Sequence, residues 1–161
     1  PSIVDERSRF GDWEVDTVMG KQGTGAIVTL AERKSRLYLV QKVSAKTANE
    51  VADAMIAMLA PYKKFVQSIT SDNGSEFVGH ERVSEALDTK IYFAHPYCSW
   101  ERGLNENFNG FLRQYVRKGS DLTQVTDNML ALYQSKLNLR PRKCLDYRQP
   151  QVVFNELMKA A

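Results

Sequence analysis

The order of elements written into this 161-residue chain predicts an α/β fold: a mixed five-stranded sheet flanked by helices. Three observations carry it. Three β-type runs follow one another early, separated by turn chemistry. Helix-period and strand-period segments then alternate. No repeat, low-complexity tract or linker breaks the sequence, so residues 1–161 read as a single domain.

The first runs, DWEVDTVMG, GAIVTLAE and RLYLVQKV, are parted by KQGTG and the charged corner ERKSR, which predicts an antiparallel meander. Thr47 opens a helix whose apolar residues Ala48, Val51, Ala52, Met55 and Leu59 share one face, and Pro61 stops it. QSITSDNG reads as a short strand running into a turn. A helix around His80 to Leu87 and a strand, KIYFA, come next. The loop HPYCSWERG leads into LNENFNGFLRQYVRKG, where Leu104, Phe108, Phe111, Leu112 and Tyr115 form a helical core stripe. Helices near Leu122 to Leu137 and Gln151 to Met158 close the chain, joined by the basic segment NLRPRKCLDYR.

Composition excludes several classes. With 43% hydrophobic residues the chain has material for a real core, and a net charge of +3 leaves any nucleic-acid argument to the distribution of charge. Cys98, Cys144, His80 and His95 have no zinc-site spacing, and two distant cysteines point to a reducing cytoplasm. No apolar run has the length of a membrane span, so no membrane partner is expected. The start PSIVDERSRFGDW has no signal-peptide pattern and reads as a piece cut from a longer protein.

Three acids stand out. Glu106 lies off the apolar stripe of its helix, roughly 200° from Leu104 at 100° per residue, and shares its side with Asn109, Gly110, Arg113 and Arg117. A solvated surface row is the plain reading, yet Asn is a poor helix former and Asn105, Asn107 and Asn109 all flank this one acid. Asp72 ends a strand at Asp-Asn-Gly, a common turn, although strand ends are also where catalytic side chains are displayed. Asp12, Glu14 and Asp16 share strand parity, so periodicity leaves all three eligible. One acid from an early strand, one from a later strand end and one from a helix would together suit two divalent cations with oxygen ligands. Such a pair serves in-line phosphodiester displacement.

The segments WEVD at 13–16, SDNGSEF at 71–77, WERGLNENFNG at 100–110, LRQYVRKGSDL at 112–122 and NLRPRKCL at 138–145 resemble the DDE transposases and integrases, most closely the insertion sequence 30 type of bacterial mobile element. The resemblance is collinear over most of the chain. It implies a ribonuclease H-like fold and assigns the catalytic and metal-holding triad to Asp16, Asp72 and Glu106, with 33 residues between the last two. Val15 stands where the family often has glycine, and Tyr97-Cys98-Ser99-Trp100-Glu101 replaces a more usual His-Ser-Pro-Trp-Gln. The family's helix-turn-helix region for terminal repeats lies upstream and is expected to be absent from this chain.

The implied activity depends on Mg²⁺ or Mn²⁺, two ions during catalysis. Water cleaves a phosphodiester at the element end and the freed 3′-hydroxyl joins target DNA. DNA is the expected partner, a homodimer or higher assembly the expected working form, and the bacterial cytoplasm, at the nucleoid, the expected place. Arg102, Asn105, Asn109, Arg113, Arg117 and Lys118 are expected to meet DNA, with Arg140, Arg142 and Lys143 as a second basic cluster that a solvated linker would equally explain. Trp100 is read as a base-stacking or loop-anchoring residue, His95 as a loop hydrogen-bonder. Two competitors remain: a nuclease of the same fold that only hydrolyses, and a non-catalytic DNA-binding module.

Overall fold

Alternation in the first third of the chain produces the sheet. In the computed structural model, which describes residues 1–95 and 103–161, a single turn α1 (Ser2–Asp5) precedes β1 (Asp12–Met19), β2 (Ala26–Glu32) and β3 (Tyr38–Val43). These strands form the expected antiparallel meander. Then come α2 (Ala48–Leu59), β4 (Ser68–Ser71), α3 (His80–Leu87) and β5 (Lys90–Phe93). The sheet order is β3-β2-β1-β4-β5, with β4 parallel to β1 and β5 parallel to β4, so the five-stranded sheet is mixed and β1 is its centre.

Each face of the sheet has its own core. Trp13 and Val15 of β1 join α2, α3 and the last helix, α6 (Pro150–Ala160), through Val51, Met55, Val83 and Phe154. The opposite side of β1 contributes Val18 to a second core with α4 (Gly103–Leu112) and α5 (Asp127–Asn138), where Phe108 stacks on Tyr38 at 4.9 Å between ring centroids. Side chains alternate across a strand, so Asp12, Glu14 and Asp16 lie on this α4 side with Val18. α2 starts where Thr47 accepts from the Glu50 N–H, and α5 where Thr126 accepts from the Met129 N–H. α5 also seals the outer strand: Asn138 exchanges two hydrogen bonds with the Tyr38 backbone, and Gln134 accepts from the Val40 N–H.

Two boundaries differ from the sequence reading. The helix expected from Leu122 begins at Asp127, because Asp121 and Thr126 each cap a separate start and split the segment into a 3₁₀ turn, Leu122–Gln124, and α5. The helix expected to carry Arg113, Arg117 and Lys118 ends at Leu112. Tyr115 and Val116 both donate back to the Leu112 carbonyl, which turns Val116 into the core, and Gly119 at φ +76° closes the segment. Glu106 and those cations therefore do not form one helical row. Among the described residues, no helix is long and apolar enough to cross a membrane.

Candidate active site

Burial separates the three acids of β1. Asp12 is fully buried, 2.6 Å from Arg9 Nη2 and accepting from Ser68 Oγ at 2.7 Å. Glu14 is fully buried as well, 3.1 Å from Arg33 Nε, and accepts from the Asn105 N–H at 3.1 Å. Both are held in ion pairs, Glu14 with the buried Arg33 and Asp12 with the partly exposed Arg9, the condition under which a buried carboxylate is tolerated. Asp16 is only half-buried, its Oδ1 accepting from the Thr17 N–H at 2.8 Å and its Oδ2 from Asn109 Nδ2 at 3.0 Å.

Asp72 follows β4 directly. In the parallel pair, Asp12 stands opposite Ser68 and Glu14 opposite Thr70, where the pairing ends; Asp16 lies two residues beyond Glu14 on β1, and Asp72 two residues beyond Thr70. Both acids thus lie beyond the same end of the pairing between the two neighbouring parallel strands. Asp72 is half-buried and its Oδ1 accepts from the Gly74 N–H at 2.8 Å, an aspartate turn that holds the carboxylate beside the chain reversal.

Polar contacts lock α4 over β1. Asn105 is fully buried: its Nδ2 donates to the Glu14 carbonyl at 3.0 Å and its Oδ1 accepts from Thr29 Oγ1 at 2.8 Å. Asn109, one turn on, donates to Asp16 and accepts from the Tyr38 hydroxyl at 2.8 Å. Burial pushes the Tyr38 phenol well above its ordinary value, which keeps it the donor in that bond. Glu106 is exposed on the first turn of α4. As residues three apart on a helix are neighbours, its Cβ stands about 5–6 Å from that of Asn109. Among the described residues no three Asp, Glu, His or Cys side chains are grouped so as to hold a metal ion. Asp16 and Asp72 follow the same end of the β1–β4 pair, and Glu106 lies on the neighbouring helix α4.

The expected DNA contacts divide. Asn105 has no exposed surface and its amide serves protein partners, which removes it from direct DNA contact in this structure, whereas Asn109 is half-buried and bonds Asp16 and Tyr38. Arg113 is half-buried and donates to the Met19 carbonyl at 3.0 Å. Arg140 bonds Gln114 Oε1 at 3.2 Å and lies over the Phe111 ring, while Arg142 lies 4.7 Å from the centre of the Phe108 ring. Desolvation there lowers the Arg142 pKa from its ordinary value. Arg117, Lys118 and Lys143 are exposed. Arg102 and Trp100, with the loop Tyr97 to Glu101, lie outside the described residues, and His95 is exposed beyond β5.

Sequence reasoning passed over Glu76, buried beside Asp72 and bonded to Thr17 and Lys46. The available signal was an acid next to the apolar Phe77 in SDNGSEF, a position where a merely solvated charge is uncommon.

Residues 6–99 match the family model described as "Integrase core domain", a stretch that includes Asp16 and Asp72 and stops short of Glu106. The chain is 44% identical over 158 residues to the transposase for insertion sequence element IS4351 of Bacteroides fragilis, covering 98% of this chain and 48% of that protein. It is 36% identical over 152 residues to the transposase InsI for insertion sequence element IS30A of Escherichia coli K12, covering 94% of this chain and 39% of the relative. The chain thus spans less than half the length of these curated relatives. Among solved structures, the catalytic core domain of BIV integrase superposes with a TM-score of 0.69 at 21% identity, covering 93% of this chain and 97% of that one. A chain of a simian T-cell lymphotropic virus intasome in complex with the PP2A regulatory subunit B56 gamma gives 0.73 at 17% identity, over 91% of this chain and 54% of its own. The fold is that of integrase catalytic cores, the ribonuclease H-like arrangement.

Proposed function

The chain belongs to the integrase core domain family, and on that premise we propose that it is the catalytic core of a bacterial insertion-sequence transposase, cleaving element-end phosphodiesters with water and joining the 3′-hydroxyl to target DNA. The observation that carries this reading is the sorting of the β1 acids. Two are buried and taken up in ion pairs with Arg9 and Arg33, whereas the third, Asp16, is half-buried and follows the same end of the β1–β4 pair as Asp72. The donor set consists of carboxylate oxygens alone, which fits Mg²⁺ or Mn²⁺ and not a soft metal. Asp16, Asp72 and Glu106 would hold two such ions. Bound there, the metal would favour attack at phosphorus and stabilise the departing oxygen.

The chain's own residues supply the rest. Asn109 fixes one oxygen of Asp16, and the Gly74 N–H fixes one of Asp72, so each carboxylate keeps a defined direction. Arg117, Lys118 and Lys143 neutralise DNA phosphates from exposed positions, with the half-buried Arg113, Arg140 and Arg142 as further contributors. Arg102, which lies outside the described residues, is proposed to join them. Joining two element ends needs at least two copies, so the working form is a homodimer or larger, acting on DNA in the bacterial cytoplasm.

The test is thermal and chemical together. Mn²⁺ at a hundredfold its Kd stabilises a folded protein by about 2.7 kcal/mol, which for a chain of this size raises the melting temperature by roughly 5–10 °C. Asp72→Asn and Glu106→Gln are expected to lose that rise and all strand joining. Equal rises in wild type and both variants would refute the ion site. Incubation with an element-end oligonucleotide and a target duplex decides the reaction class: joined products establish transfer, and nicks alone establish a nuclease that only hydrolyses.

A further inference from the structure

A fourth carboxylate stands against the pair just described. Glu76 is 5% exposed, in the 3₁₀ turn Ser75–Phe77 that follows Asp72. Its Oε1 accepts from Thr17 Oγ1 at 3.3 Å, the residue after Asp16, and lies 3.2 Å from Lys46 Nζ. Its other oxygen faces Asp72 across Gly74. A Cβ built on that glycine would press into Glu76 Oε2 and lie 2.8 Å from Asp72 Oδ1, so no side chain fits between the two carboxylates.

We propose that Glu76 is a positioning residue of the ion site: it ties the end of β1 to the Asp72 turn and adds a negative charge beside Asp16 and Asp72 that raises their affinity for divalent cations. This rests on the reading of those two acids as ion ligands. A buried acid facing a second acid is costly, and a neutral side chain of the same shape would make the Thr17 bond without the repulsion. One half-exposed lysine offsets the charge only partly. A divalent cation at the strand ends offsets the rest, so the fourth charge is stabilising when the ion is bound. Groups that orient metal ligands without touching the ion typically account for about 10–100-fold in metal affinity.

The experiment is calorimetric titration of MnCl₂ into the wild-type chain, Glu76→Gln and Asp72→Asn, with thermal melts of each in the absence of metal. Glu76→Gln keeps the shape and the Thr17 acceptor and removes the repulsion, so its metal-free melt is expected to be no lower than wild type while Mn²⁺ affinity falls about tenfold. Affinity within about twofold of wild type overturns the proposal. Should Glu76→Gln melt early, Thr17→Val cuts the tie to β1 with every charge in place, and Mn²⁺ affinity within about twofold of wild type then overturns the positioning role. Binding that Asp72→Asn abolishes and Glu76→Gln leaves intact overturns the role of Glu76 alone. An absence of saturable binding in wild type overturns the ion site and the proposal with it.

Discussion

Replacing Asn105 with alanine tests the joint between α4 and the sheet. The side chain has no exposed surface and makes two short hydrogen bonds, from Nδ2 to the Glu14 carbonyl at 3.0 Å and from Thr29 Oγ1 to Oδ1 at 2.8 Å. Alanine removes both and admits little water. A buried polar group left without its partner costs about 1–3 kcal/mol. Thr29 has a second acceptor, the Asp16 carbonyl at 3.3 Å, and recovers part of its loss by turning to it. The expected total is therefore about 2–4 kcal/mol, a fall of roughly 5–15 °C in melting temperature for a chain of this length. Urea unfolding followed by far-ultraviolet circular dichroism measures it. In a cycle with Thr29→Val the double variant should lose about 1 kcal/mol less than the two single losses together, because no orphaned hydroxyl remains. A loss below about 0.5 kcal/mol, the range of exposed substitutions, would refute the buried joint and return Asn105 to a surface that could meet DNA.

Two further substitutions probe the same core. Burial holds the Tyr38 phenol above its ordinary value, so the unfolded chain releases that proton first and stability falls as pH rises past about 10, by up to about 1.4 kcal/mol per pH unit. Tyr38→Phe is expected to flatten this alkaline slope in urea titrations at pH 9.5 to 11, while losing about 0.5–1.5 kcal/mol at neutral pH with the Asn109 bond; an unchanged slope would contradict it. Arg33→Met leaves Glu14 buried without its guanidinium and should cost about 3–5 kcal/mol in the same assay, with Arg33→Met/Glu14→Met recovering most of the loss. A double variant as unstable as the single one would show that the charge pair is not the cause.

Element order and strand identity were legible because they rest on period. The alternation of Trp13 and Val15 against Asp12, Glu14 and Asp16 appears in the structure as two faces with separate cores. Periodicity is blind along one face, and the three acids of β1 have the same parity. What separates them is the placement of Arg9, Ser68, Arg33 and Asn105, partners drawn from up to 91 residues away. The end of α4 was hidden for a similar reason. Tyr115 continues the helical apolar stripe in sequence, yet after the chain turns at Leu112 it is only partly buried against the core, and Val116 is the residue that is fully buried there. Arg140 and Arg142 read as a solvated or DNA-facing linker because ring contacts with Phe111 and Phe108 leave no trace in local pattern.

The asparagines around Glu106 show how one helix serves both the fold and the site. A helix chosen for stability alone would not carry three of them. Asn105 and Asn109, one turn apart, face β1 at a place where a carbonyl and a carboxylate must be met by N–H groups, and apolar residues there would leave the Glu14 carbonyl without its side-chain partner and Asp16 without its positioning bond. The same two bonds fix the rotation of α4 about its axis. Glu106, about 100° around from Asn105, is thereby held outward instead of into the core. The low helix propensity of the segment is the energetic consequence of docking a helix by polar contacts over a row of acids, and the core contacts of Leu104, Phe108 and Leu112 offset it.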